Sequence, residues 1–133
     1  MKDKVHIPKP VRFLLTAAFL PFLLASCALN LSAIRAEMPD LSGKADGTYR
    51  GEYDLPKAPV RVTLDVRIQD ARITGIDVVK HICSPIGKKA EKITDQIIAK
   101  QSLDVDAVTG ATGSSKAILK AVEDALKEEG ASG

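Results

Sequence analysis

Tryptophan is absent from the 133 residues, and aromatic side chains make up only 4% of them. All three phenylalanines, Phe13, Phe19 and Phe22, fall within the first 27 residues, so Tyr49 and Tyr53 are the only rings beyond that point. A core built after residue 27 is therefore aliphatic. A surplus of one charge sign is lacking as well. The formal charge is +2, but Lys2, Lys4, Lys9 and Arg12 against Asp3 carry that excess and leave the remainder at −1. Without a basic surplus or stacking rings, the chain has neither the electrostatic footprint nor the platform that nucleic-acid binding uses, and that class is set aside. Cysteine and histidine are scarce, with Cys27, Cys83, His6 and His81 the whole supply. Cys83 has no disulfide partner once Cys27 is accounted for, and it reads as a small apolar side chain rather than a redox thiol. A metal site needs several ligands, and His81 is the only histidine after the first segment.

The N-terminal stretch is an address. A basic segment, Met1 to Arg12, precedes the apolar run Phe13 to Ala25, the order of parts in a secretory signal peptide. Thirteen helical residues span about 20 Å, short of the roughly 30 Å hydrocarbon core, and Pro21 interrupts them. The run ends in Leu24-Ala25-Ser26-Cys27, which resembles the bacterial lipobox and makes Cys27 the expected lipidation site. Ordinary cleavage near the same residues, leaving a soluble protein, is the alternative. The expected location is the outer face of a bacterial membrane, in the cell envelope, with residues 1–27 as leader and 28–45 as a tether of mixed Ser, Pro, Gly and charge.

One compact domain is expected over residues 46–129. Thr48 to Tyr53 reads as a short strand. Val62, Leu64, Val66 and Ile68 alternate with polar neighbours through Gln69, a period of two that marks the clearest strand. Asp70-Ala71-Arg72 can turn the chain into Ile73 to Ile82, where Thr74, Ile76, Val78 and Ile82 are expected to share a face and Gly75 to mark a bulge. After Pro85 the period lengthens, and Ile86, Ala90, Ile93, Ile97 and Ile98 predict one helix to about Lys100. Leu103 and Val105 form an extended link. Ile118, Ala121, Val122, Ala125 and Leu126 predict a second amphipathic helix that stops before Gly130. The fold class is α+β, a small antiparallel meander packed with two helices.

Between the helices lies Thr109-Gly110-Ala111-Thr112-Gly113-Ser114-Ser115. Glycines let backbone approach a ligand, hydroxyls donate hydrogen bonds, and a helix start favours an anion, so phosphate is the natural guest. The order of residues is not that of a nucleotide P-loop. Taken alone, the turn reads better as a cap for the last helix.

The longer string Asp106-Ala107-Val108-Thr109-Gly110-Ala111-Thr112 resembles the flavinylation motif, Asp-x-x-Ser/Thr-Gly-Ala-Thr/Ser, of the FMN-binding domain family. The opening Asp46-Gly47-Thr48-Tyr49-Arg50-Gly51, the hairpin, the Pro85 and Gly87 loop and Gln101 to Asp106 extend the resemblance over the whole domain. It implies FMN, joined through its phosphate to Thr112 by an FAD-dependent flavin transferase. Asp106, Thr109, Gly110, Ala111, Gly113, Ser114 and Ser115 are then the surrounding cofactor-binding residues. Asp106 reads as an activator of the Thr112 hydroxyl, as an Asx-type cap, or as a recognition point for the transferase. Cys83-Ser84-Pro85-Ile86 stands where membrane-pump subunits of the family often have Glu-Thr-Pro-Gly, which argues against a pump-subunit role. The expected function is electron relay between membrane and extracellular redox partners, rather than stand-alone catalysis. A small flavin-dependent reductase, or an envelope module that binds FMN without a covalent bond, are the alternatives. His81 and the run Lys88, Lys89 and Lys92 read as surface residues.

Overall fold

Strict alternation over Arg61–Gln69 makes this segment the central strand of the domain, with Val62, Leu64, Val66 and Ile68 all buried on one side. A computed structural model describes residues 34–130. The leader-like segment, Cys27 and the first part of the expected tether lie outside these residues. Strands β1 (Gly47–Asp54), β2 (Arg61–Gln69) and β3 (Arg72–Ile82) form an antiparallel sheet in the order β1-β2-β3. Asp70 and Ala71 both have positive φ (51° and 57°), the conformation of a two-residue turn whose twist suits a hairpin. After the sheet come a 3-10 helix (Gly87–Lys92), helix α1 (Ile93–Lys100) and helix α2 (Thr112–Lys127). The fold is α+β, as expected.

β3 departs from simple alternation. Pairing passes from Ile68↔Ile73 to Arg67↔Gly75, skipping Thr74, and from Leu64↔Val78 to Thr63↔Lys80, skipping Val79. Each skipped residue is a bulge that reverses which side the following residues face. Thr74 is therefore exposed instead of sharing a face with Ile76 and Val78. The second bulge turns His81 inward opposite Val62 and leaves Ile82 46% exposed, the reverse of the expected arrangement. The extra residue expected at Gly75 is Thr74.

The helical stretch after Pro85 also divides. Residues three apart eclipse in a 3-10 helix, so Gly87 and Ala90 share its buried side, while α1 turns Ile93 and Ile97 into the core. A Cβ on Gly87 would lie 2.6 Å from Ser114 Oγ and 2.9 Å from Cys83 Cβ, so this contact with α2 requires glycine. α2 lies across β1 just as closely. A Cβ on Gly51 would lie 1.9 Å from the Ala121 carbonyl oxygen.

The core is aliphatic apart from Tyr49, whose hydroxyl donates to the Ala45 carbonyl at 2.7 Å. Ala36, Met38 and Leu41, within the stretch read as tether, pack against it, and Leu41 is buried. No helix among the described residues is long and apolar enough to cross a membrane.

Candidate functional site

Gly110 has φ +80°, a left-handed conformation that admits glycine readily and that bends the loop into the start of α2. Ala111 occupies the N-cap position and Thr112 is the first helical residue. Ser, Thr, Asp or Asn usually stands at an N-cap, where a side-chain oxygen accepts from the first turn. Here no side-chain cap bond forms. The first backbone bond at this end is Ser115 N–H to the Ala111 carbonyl at 2.9 Å. The N–H groups of Thr112, Gly113 and Ser114 thus precede the helical ladder, and no acidic side chain stands in the first turn. The reading of Thr109 to Ser115 as a self-capping turn does not hold.

Ser115 has a different place from the one expected. Its hydroxyl is fully buried, accepting from the Val108 N–H at 3.0 Å and donating to the Ala111 carbonyl at 2.9 Å. It pins the loop to the helix and has no face left for a ligand. Ser114 is also buried, against Gly87. Thr109, Gly110 and Thr112 are exposed and Gly113 half-buried, whereas Ala111 is tucked into the core. The Asp106 carboxylate is exposed and makes no hydrogen bond among the described residues, so it does not cap the turn. It lines a groove of about 560 Å³ with Lys116, Leu119 and residues of the 34–37 segment.

Apolar surface gathers at the same end. A Cβ on Gly113 would meet Leu55 Cδ2 at 3.3 Å, and one on Gly110 would meet Ile86 Cγ2 at 3.9 Å. Leu55 and Ile82 line a cleft of about 450 Å³ with Pro59 and Val60. Ile82 and Ile86 are two of the three large apolar side chains that stand exposed among the described residues. An unsatisfied helix start beside exposed aliphatic side chains fits a ligand with a phosphate at one end and a flat apolar ring at the other.

Residues 57–127, more than half of the chain, match the model of the FMN-binding domain family. The chain belongs to the FMN-binding domain family. No curated protein matches the sequence. Bound FMN supplies the redox chemistry of its isoalloxazine ring, and the protein's share is position and field. Thr112, the three first-turn N–H groups, Gly110 and Gly113 could hold the phosphate of such a group, and the exposed Ile82 and Ile86 could offer it apolar surface, while Leu55, only 6% exposed, backs Gly113 from the inside.

The exposure of Ile82 and Ile86 beside this loop is not foreseen from the sequence, because both carry periodicities that assign them to the core. His81 also differs from the half-buried surface residue expected. Its side chain is 2% exposed, Nδ1 lies 3.0 Å from Glu91 Oε1, and Nε2 is buried with no hydrogen-bond partner among the described residues.

Proposed function

We infer that this FMN-binding domain is a membrane-tethered electron carrier whose flavin is joined by a phosphoester to Thr112, installed by an FAD-dependent flavin transferase. The observation that carries this reading is the uncapped start of α2. A 16-residue helix that forgoes a side-chain cap gives up about 1 kcal/mol, and its first-turn donors stay available to an anion. Thr112 is exposed at that same turn, where an incoming enzyme can reach its hydroxyl. Asp106 stands outside the turn's own hydrogen bonds, which suits recognition by the transferase rather than activation of Thr112.

Tethering rests on the sequence: the apolar run and Leu24-Ala25-Ser26-Cys27 give a lipid attachment point at Cys27, and the domain follows at short range. The redox partners are then a membrane donor and an acceptor outside the membrane.

Intact mass of the protein co-produced with a flavin transferase tests the attachment. One FMN per chain, retained on denaturation in the wild type and in Thr112→Ser but lost in Thr112→Ala, is the expected result. Flavin that dissociates on denaturation in all three would place FMN in the site without the covalent bond.

A further inference from the structure

The 3-10 helix beside the loop presents an unusual stripe of charge. With three residues per turn, its six positions fall on three sides. Gly87 and Ala90 face the core, Lys88 lies with Glu91, and Lys89 lies with Lys92. Glu91 is held to His81. Lys88, Lys89 and Lys92 are exposed and form no ion pair among the described residues; Arg35, Lys57, Arg72, Lys80, Lys100 and Lys116 are also unpaired, but no three of those stand on one element. The helix is held rigidly beneath them. Gly87 packs on Ser114, and the Thr94 hydroxyl donates to the Glu91 carbonyl at 2.8 Å. Ile86, immediately before the helix and 57% exposed, lies against the Gly110 loop. The domain beyond residue 27 is net negative, so a local cluster of three unpaired cations next to the flavin site opposes its overall charge.

We propose that Lys88, Lys89 and Lys92, around the apolar tip of Ile86, are the docking face for an acidic redox protein that exchanges electrons with the flavin. This rests on the flavin being held at Thr112. An apolar centre with a cationic rim matches the anatomy of a short-lived interface, where rim charge accelerates encounter and little area is buried. Such exchange requires a ring edge left uncovered toward the lysines.

Stopped-flow oxidation of the photoreduced holo-protein reads the field at that edge, with ferricyanide as anionic acceptor and tris(phenanthroline)cobalt(III) as cationic acceptor. Each molecule of either acceptor removes one electron from the reduced protein. The ferricyanide rate is expected to fall as salt rises and the cobalt rate to rise, opposite to what the net charge dictates. Lys88→Glu, Lys89→Glu and Lys92→Glu together are expected to slow ferricyanide about tenfold at low salt and reverse its salt dependence. Lys100→Glu, at the far end of α1, serves as the control for a change in net charge. An equal effect of Lys89→Glu and Lys100→Glu, or a ferricyanide rate that rises with salt in the wild type, would overturn the docking face. Protein without flavin absorbance would overturn the attachment reading and this one together, whereas flavin-bearing protein with kinetics blind to these lysines overturns this one alone.

Discussion

Ser115 and Thr112 stand three residues apart in the first turn of α2, and burial separates what each can do. Ser115 is inside, with its hydroxyl bridging Val108 N–H and the Ala111 carbonyl. Ser115→Ala leaves the Val108 N–H without its partner in a half-buried place, which costs about 1–2 kcal/mol. Urea unfolding of the two proteins measures this directly, and equal midpoints would show that the bridge contributes nothing. The string that holds Asp106, Thr109, Gly110 and Thr112 was legible as a family motif because it is local and ordered, and the family is the one to which the chain belongs. The split between an exposed and a buried hydroxyl was not. Both residues are small, polar and next to glycines, and only the helix start at Thr112 fixes which one points inward. The exposed places of Ile82 and Ile86 were hidden for a related reason: an aliphatic residue left on the surface has the same composition as one packed in the core.

At the level of elements, β2 was plain because every residue obeys one period, while β3 was misread past its bulges. An inserted residue shifts the phase of alternation without changing composition, so Ile82 was assigned inward and the structure turns it out. The edge of β3 shows a second device that sequence does not announce. Gln101 adopts φ +50° after α1, and its side-chain amide accepts from Ile73 N–H and donates to the Ile73 carbonyl, both at 2.8 Å. It also donates to the Ile98 carbonyl at 2.7 Å, closing the end of α1. One side chain therefore imitates a strand residue on an edge and caps a helix. Gln101→Ala is expected to cost about 2–3 kcal/mol, since several main-chain groups lose a partner at once. Gln101→Gly removes the amide but relieves the left-handed backbone. Gln101→Gly should therefore cost less than Gln101→Ala, and if Gln101→Ala unfolds at the same denaturant concentration as the wild type, the amide plug has no stabilising role.

For the whole molecule, charge sets the response to acid. Burial works to raise the Glu123 carboxyl, but hydrogen bonds from Lys120 and Lys127 outweigh it and hold the group below the ordinary carboxylate range. The side chain of Glu123 is only 5% exposed, so its charge is poorly screened. A depressed carboxyl contributes stability that is present above its unfolded value, near pH 4, and that disappears as pH falls through its folded value. Asp54 and Asp65, lowered by hydrogen bonds from Arg61 and Arg50, act in the same direction. The stability of the wild type over Glu123→Gln is therefore expected at pH 7 and should shrink steadily below pH 4. A difference that persists unchanged at pH 3 would assign the effect to packing instead.

The same helix ties the body to the segment in front of it. Lys120 Nζ donates to the Arg35 carbonyl at 3.3 Å, Lys44 bonds the Glu128 carbonyl and lies 4.0 Å from the centroid of the Tyr49 ring, and Leu41 is buried in the core cluster. Composition marks residues 28–45 as a tether because Ser, Pro, Gly and mixed charge carry no period, yet a single buried leucine needs no period to join a core. A chain starting at Asp46 would uncover the aliphatic surface that Leu41 covers, losing about 2 kcal/mol for that side chain alone, and would deprive the Tyr49 hydroxyl of the Ala45 carbonyl. A chain starting at Ile34 retains all of these contacts. The shorter form is therefore expected to unfold at a lower urea concentration, and Leu41→Ala in the longer form should reproduce most of the difference. Equal stability of the two forms would mean that residues 34–45 lie on the domain without supporting it, and that the packed unit begins at β1.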